Sequence, residues 1–150
     1  MFFYVAEAER MRGSLPLPDI VRVLKKYDIP VVVDAAAELP PTTNVRKYLD
    51  QGADLVIFSG GKELRGPQSS GLILGRKDLI EACDANCCPN HSIGRPMKVD
   101  KETIAGIVKA VELFVKKDYV SEMKRWEDMV ASMIAVFSNI PGTTVRRGFQ

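Results

Sequence analysis

Residues 54–67 read D-L-V-I-F-S-G-G-K-E-L-R-G-P, and this stretch decides the fold class of the chain. The apolar run Leu55–Phe58 predicts a buried strand, which ends abruptly in Ser59-Gly60-Gly61-Lys62. The lysine therefore follows a glycine-rich turn at the carboxyl end of a strand, which is where open α/β sheets bind ligands. A second apolar run, Val31–Val33, ends in Asp34. An acid and a lysine at the ends of two consecutive strands suggest a cofactor site.

The rest of the chain alternates predicted strands with predicted helices. The further strands are expected at Phe2–Ala6, Gly71–Gly75 and from Thr143, and the helices at 19–27, 43–51, 76–86, 101–117 and 119–137. Such alternation predicts an α/β architecture with a mainly parallel sheet and flanking helices. The chain opens on one predicted strand and stops within another, as a domain cut at both ends would.

Composition and charge narrow the class of protein. The chain has 150 residues, typical of one domain, with 46% hydrophobic and 27% charged residues. Its 21 basic and 19 acidic residues leave a net charge of +2, which gives no electrostatic argument for nucleic-acid binding. No run of eighteen apolar residues predicts a membrane helix, and the first residues do not resemble a signal peptide. We therefore expect a cytoplasmic protein.

Three cysteines are crowded near the middle of the sequence: Cys83, Cys87 and Cys88, followed by His91. A metal site is one interpretation of this group. However, the C-x3-C-C-x2-H spacing matches no familiar zinc pattern, and the chain has a single histidine. Without a secretion signal, unpaired thiols are the favoured interpretation, and we predict no metal site.

Pyridoxal phosphate (PLP) is a cofactor that such a pair of residues would suit. It needs a lysine for a Schiff base, a carboxylate for its pyridine nitrogen and a cradle for its phosphate. Lys62 fits the first requirement and Asp34 the second, since the carboxyl ends of nearby parallel strands lie about 5 to 10 Å apart. The hydroxyl of Ser59 and the amides of Gly60 and Gly61 are candidates for the third.

Plainer interpretations of the same residues remain open. An aspartate at the end of a strand often caps the following turn, and a G-G-K sequence is often a surface turn with a solvated lysine. A nucleotide phosphate loop fits less well, because G-x-x-x-x-G-K-[ST] is absent and Glu63 follows Lys62.

Three stretches resemble the selenocysteine synthase family of PLP enzymes. They are V-V-V-D-A-A-A-E-L-P-P (31–41), the segment 52–80 and I-G-R-P-M-K-V-D-K-E (93–102). The family includes L-seryl-tRNA selenium transferase and relatives such as D-glucosaminate-6-phosphate ammonia-lyase, which the third stretch resembles more. The combination S-G-x-K-x-x-x-G-P-Q, at residues 59–68, is the most specific part of the resemblance.

The resemblance implies a fold, a cofactor and roles for particular residues. The fold is the aspartate-aminotransferase-like (fold type I) PLP-dependent transferase fold. Lys62 is the implied Schiff-base lysine, Asp34 the partner of the pyridine nitrogen and Ser59 a phosphate ligand. Catalysis would involve Lys62 and Asp34, and the cofactor would also contact Gly61.

Four more residues are candidates for substrate or phosphate contacts. A guanidinium at Arg95 would suit a substrate carboxylate or phosphate, although a solvated loop arginine is an equal alternative. His91 is either a general acid or base or a surface histidine. Arg65 and Gln68 either contact phosphate, in the same or a neighbouring subunit, or order the loop after Lys62.

Members of this family are much longer than 150 residues. The resemblance therefore implies a fragment that lacks the N-terminal half of the large domain, where a glycine-rich turn grips the phosphate and another residue stacks on the ring. Residues 1–99 would form the C-terminal half of the PLP-binding large domain. Residues 100–150 would form long connecting helices and the start of the small domain.

Three functions follow as hypotheses. The first is a PLP-dependent lyase or transferase that acts on an amino acid or amino-sugar acid through α-proton abstraction and β-elimination, incomplete in this chain. The second is a catalytically silent remnant or oligomerisation fragment, and the third is an L-seryl-tRNA(Sec) selenium transferase. Unpaired sheet edges predict self-association, so a homo-oligomer is the expected state.

Overall fold

Four strands form one sheet in the computed structural model, which describes residues 1–7 and 13–148. They are β1 (Phe2–Val5), β2 (Val31–Asp34), β3 (Leu55–Ser59) and β4 (Gly71–Gly75), in that spatial order. β1, β2 and β3 run parallel, and β4 is antiparallel to β3. The predicted α/β class with a mainly parallel sheet is confirmed.

The described residues contain five α-helices: α1 (Leu17–Leu24), α2 (Asn44–Asp50), α3 (Lys77–Asn86), α4 (Lys101–Val115) and α5 (Tyr119–Phe137). Each of the five coincides with a predicted helix, and no end differs from its predicted position by more than three residues. A 3-10 turn, Lys25–Tyr27, continues α1 and ends at Asp28, whose φ of 51° is left-handed. None of the helices in the described ranges is long and apolar enough to span a bilayer.

The core is centred on the two middle strands. All three valines of β2 are at most 4% exposed, as expected for a strand covered on both faces. Phe58 of β3 is 1% exposed, and Tyr48 of α2 is fully buried. Leu17 and Val21, one helical turn apart, bury one face of α1. These apolar contacts hold β2 and β3 at a fixed register and so position the residues that follow them.

Asp54 ties three strands together at the amino edge of the sheet. Its Oδ2 accepts a hydrogen bond from Val31 N–H at 2.8 Å, and its Oδ1 accepts one from the Arg76 guanidinium at 3.0 Å. Gly75 approaches so closely that a Cβ there would lie 2.1 Å from Asp54 O. The Arg76 guanidinium also lowers the pKa of Asp78. This network joins the start of β2, β3 and the end of β4.

The predicted strand from Thr143 to Arg146 is wrong. Residues 143–148 form no strand, and Thr143 turns back on α5 instead. Its hydroxyl donates to Phe137 O at 2.9 Å and to Ile140 O at 2.8 Å. A β-branched sequence needs a neighbouring strand, and this segment pairs with none among the described residues.

The chain divides into two compact units, Met1–Lys116 and Lys117–Gln150. The predicted division at residues 99 and 100 stays a prediction. In the second unit, Asp118 caps α5 by accepting hydrogen bonds from the N–H groups of Val120 and Ser121. The ammonium of Lys117 lies 4.9 Å from the centre of the Tyr119 ring.

Asp100 caps the first turn of α4. It accepts a hydrogen bond from Thr103 N–H at 2.6 Å, and this bond lowers the pKa of Asp100. A group whose pKa is depressed by folding stabilises the fold above its unfolded pKa and loses that effect as the pH falls through its folded pKa. We therefore expect acid to weaken this cap.

The variant Asp100→Asn isolates this effect, because asparagine also caps helices but does not titrate. Thermal unfolding of the wild type and the variant is compared between about pH 7 and pH 3, across the titration range of aspartate. The wild type should lose more stability than the variant as the pH falls. Parallel curves would show that the Asp100 charge contributes nothing.

Candidate active site

The carboxyl edge of the sheet brings the predicted acid close to the predicted phosphate ligand. Asp34, the last residue of β2, is the register partner of Ile57 in β3. Ser59, the last residue of β3, lies two residues further on and thus on the same face of the sheet. Standard strand geometry places the two Cα atoms about 8 Å apart, within the predicted range.

Asp34 also caps the turn that follows its strand. Its Oδ1 accepts a hydrogen bond from Ala36 N–H at 3.0 Å, and Glu38 N–H donates to Ala35 O at 3.0 Å. Ala35 N–H donates to Ile57 O at 2.9 Å, so the turn is joined to β3 as well. The capping interpretation and the cofactor interpretation are compatible, because the cap occupies Oδ1 and not Oδ2.

Glu38 is a buried carboxylate that sequence reasoning missed. It is 7% exposed, and its Oε2 accepts a hydrogen bond from the Tyr48 hydroxyl at 3.2 Å. Its backbone oxygen accepts one from Asn44 Nδ2 at 2.7 Å. These bonds tie the turn after Asp34 to α2. No local signal in D-A-A-A-E predicts this burial, since the partners lie six and ten residues away.

Lys62 lies on a loop that is closed by its own backbone. Gly60 N–H donates to Ser70 O at 2.8 Å, and Gly66 N–H donates to Gly60 O at 2.8 Å. Arg65 N–H donates to Lys62 O at 2.9 Å, which closes the turn that carries the lysine. Lys62 is exposed. The loop therefore holds its backbone in place while the amine remains accessible.

The phosphate contacts that the sequence suggested are only partly available in this loop. The amide of Gly60 is already bonded to Ser70 O, so the expectation that it contacts phosphate does not hold here. The hydroxyl of Ser59 sits at the strand end, half-buried. The roles of Ser59 and Gly61 toward phosphate stay predictions.

Arg65 and Gln68 make contacts within the same loop. Arg65 has a left-handed φ of 57°, and its guanidinium lies 3.4 Å from Glu63 Oε1. Gln68 packs on Gly61, where an added Cβ would lie 2.7 Å from the Cα of Gln68. These contacts support the loop-ordering interpretation, and a contact of either residue with phosphate stays a prediction.

Arg95 and His91 lie toward the other edge of the sheet. Gly94 N–H donates to Asn86 O at 2.8 Å, and Asn86 lines one cavity with Leu55, at the amino end of β3. One strand length, about 13 Å, separates that end from the carboxyl edge. The loop that carries Arg95 and His91 is therefore anchored at Asn86, near the amino end of β3, and the role of these two residues toward a substrate stays a prediction.

The loop that carries Arg95 and His91 is held by contacts of its own. The Arg95 guanidinium donates a hydrogen bond to Pro89 O, and the His91 side chain is exposed. The three cysteines at the end of α3 and the start of this loop are unpaired. Within the described ranges, no group of three or more His, Cys, Asp and Glu side chains is arranged to hold a metal ion.

The fold defines a class of protein, the fold type I, aspartate-aminotransferase-like transferases. The chain belongs to the L-seryl-tRNA selenium transferase family, whose family model matches residues 11–135. The predicted membership of the selenocysteine synthase family is thus confirmed.

Two curated relatives carry different activities in their names. The chain is 36% identical over 135 residues to the 5'-C-glycyluridine monooxygenase-decarboxylase of Streptomyces sp. The aligned segment spans 90% of this chain and 32% of that protein. The chain is 42% identical over 101 residues to the D-glucosaminate-6-phosphate ammonia lyase of Salmonella typhimurium, across 67% of this chain and 25% of the relative. The chain thus spans a third or less of the length of these relatives.

Solved structures agree with this placement. A structure of D-glucosaminate-6-phosphate ammonia-lyase matches with a TM-score of 0.66 and 37% identity, covering 77% of this chain and 30% of that one. An archaeal O-phosphoseryl-tRNA(Sec) selenium transferase matches with a TM-score of 0.53 and 18% identity, which shows the fold alone.

Proposed function

We propose that this chain is the part of a PLP-dependent enzyme that carries the covalent lysine, Lys62, and the acid for the pyridine nitrogen, Asp34. One observation carries the proposal: Asp34 ends β2, Ser59 ends β3 and Gly60-Gly61-Lys62 follows it, at the same edge of two adjacent parallel strands. A planar ring with a ring nitrogen and an aldehyde matches a carboxylate and an amine placed in this way.

Each residue has a distinct task in this proposal. When bound, PLP supplies an electron sink for the electrons of a broken bond at the substrate α-carbon. The Asp34 carboxylate holds a proton on the ring nitrogen, and the Ser59 hydroxyl donates to the phosphate. Lys62 would hold the cofactor through its amine, and the same amine would serve as the base for the α-proton of the substrate.

The proposed reaction is that of a lyase or transferase acting on an amino acid or amino-sugar acid, with β-elimination after α-proton abstraction. The relatives named as an ammonia lyase and as selenium transferases support this class. The relative named as a monooxygenase-decarboxylase indicates that related chains serve other chemistry, so the proposal does not specify a single substrate. A homo-oligomer in the cytoplasm is part of the same proposal.

The test is to locate the lysine that PLP modifies. The 150-residue chain is incubated with PLP, reduced with borohydride and digested, and the labelled peptide is identified by mass spectrometry. We expect the label on Lys62. Label spread evenly over exposed lysines such as Lys77 would contradict the proposal. Absence of label at saturating PLP would favour a catalytically silent remnant.

A further inference from the structure

Helix α4 packs directly against the loop that presents Lys62. Ala110 of α4 is 7% exposed and Phe114 is 3% exposed, whereas Val108, on another face of the same helix, is 64% exposed. Leu64, two residues after Lys62, is 3% exposed. One face of α4 is therefore buried. Glycines of the loop and a glycine of the helix make the close contacts between the two.

Two loop glycines meet the same methyl group of α4. A Cβ added to Gly60 would lie 2.8 Å from Ile107 Cδ1, and one added to Gly66 would lie 3.1 Å from that atom. The Cβ added to Gly66 would also lie 3.2 Å from the Cβ of Ala110. Because Gly66 N–H donates to Gly60 O, this single methyl group lies against both residues whose bond closes the loop.

A third glycine makes the contact from the side of the helix. A Cβ added to Gly106 of α4 would lie 2.6 Å from Pro67 Cγ and 3.1 Å from Pro67 Cδ. Both atoms belong to the rigid proline ring, which cannot rotate away. The separation between α4 and the loop is therefore fixed at both Gly106–Pro67 and Ile107–Gly60.

We propose that Ile107 and Gly106 are positioning residues for Lys62: they set where the lysine loop sits relative to the carboxyl edge of the sheet. The inference rests on the proposed function for its chemical meaning. Lys62 is exposed, so the backbone of its loop governs where the amine lies. The loop in turn is held by its internal hydrogen bonds and by α4.

The first test uses Ile107→Val, which deletes Cδ1 alone. Its matched control is Ile104→Val, which removes the same methyl group from the same helix at a position 51% exposed. Hydrogen exchange of the Gly60, Arg65 and Gly66 amides reports on the loop without any cofactor. We expect it to be about two- to tenfold faster in Ile107→Val, the range that removal of one methyl group from a packed contact predicts.

A second readout follows the lysine itself. Competitive acylation of the apo chain measures the reactivity of Lys62 against the other lysines at several pH values, and PLP labelling measures its share of the cofactor. Ile107→Val should change the acylation profile of Lys62 and lower its share of PLP label. Ile104→Val should match the wild type in both measurements.

Gly106→Ala is a second variant, which adds a methyl group to α4 where Ile107→Val removes one. Alanine raises helix propensity, so a purely local effect would leave the lysine loop unchanged or firmer. Contact with Pro67 instead predicts faster exchange of the loop amides and reduced labelling of Lys62. The control is Gly148→Ala, where an added Cβ meets nothing within 4 Å.

The outcomes separate the two proposals. If both variants match their controls in loop exchange and Lys62 reactivity, the positioning role is overturned. If the wild type takes no PLP label at Lys62, the proposed function fails, while exchange and acylation still decide the positioning role. Faster exchange and altered Lys62 reactivity in both variants, with unchanged controls, would establish it.

Discussion

Lys62→Arg is expected to abolish covalent attachment of PLP at residue 62. Arginine keeps the positive charge and most of the length of lysine, but its guanidinium stays protonated at all accessible pH values and does not form the bond to the aldehyde. The visible absorbance band of the bound cofactor and the borohydride-fixed label should both fall to the level that the surface lysines give. The loop should be unaffected, because the Lys62 side chain is exposed and its backbone bonds remain.

The control for this variant is Lys77→Arg. Lys77 has a side chain 89% exposed on α3, where it pairs with Glu81. PLP reacts with any accessible amine to some extent, so the control shows how much signal comes from the surface. If Lys62→Arg kept the band and the label at the level of Lys77→Arg, Lys62 would not be the covalent lysine.

The strand ends that define the site were predictable from the sequence. Apolar runs that end in Asp34 and in Ser59 mark two parallel strands, and the carboxyl ends of parallel strands share one edge of a sheet. The antiparallel β4 was not predicted, although the sequence contained a signal. Only residues 60–70 separate β3 from β4, and a parallel connection needs a dozen or more residues, usually with a helix.

Long-range contacts were beyond sequence reasoning. The sequence makes the Gly60 amide a candidate phosphate donor, but that amide donates to Ser70 O. A Cβ at Gly60 would meet Ser70 Oγ and also Ile107, which lies 47 positions away in the sequence. The chemistry of a guanidinium makes Arg95 a candidate for a substrate carboxylate or phosphate, and a solvated loop arginine is an equal alternative. The position of its loop depends on the direction of α3, which the hydrophobic pattern of α3 does not fix.

Asp34→Asn is expected to weaken PLP binding by about ten- to hundredfold, the loss that follows from a hydrogen bond between charged groups worth roughly 1.5–3 kcal/mol. The asparagine Oδ1 still accepts a hydrogen bond from Ala36 N–H, so the turn and the fold should be kept. The variant therefore removes the charge that holds a proton on the ring nitrogen and leaves the cap. Titration of the absorbance with PLP gives the affinity, and thermal unfolding checks the fold.

The matched control is Asp84→Asn, on the exposed surface of α3. Asp34→Ala adds a further comparison, because it removes the cap and the charge together and should lower both the affinity and the unfolding temperature. A variant Asp34→Asn with wild-type affinity would show that Asp34 only caps its turn. Weaker binding at an unchanged unfolding temperature would separate the electrostatic role from the structural one, since only the first depends on the negative charge.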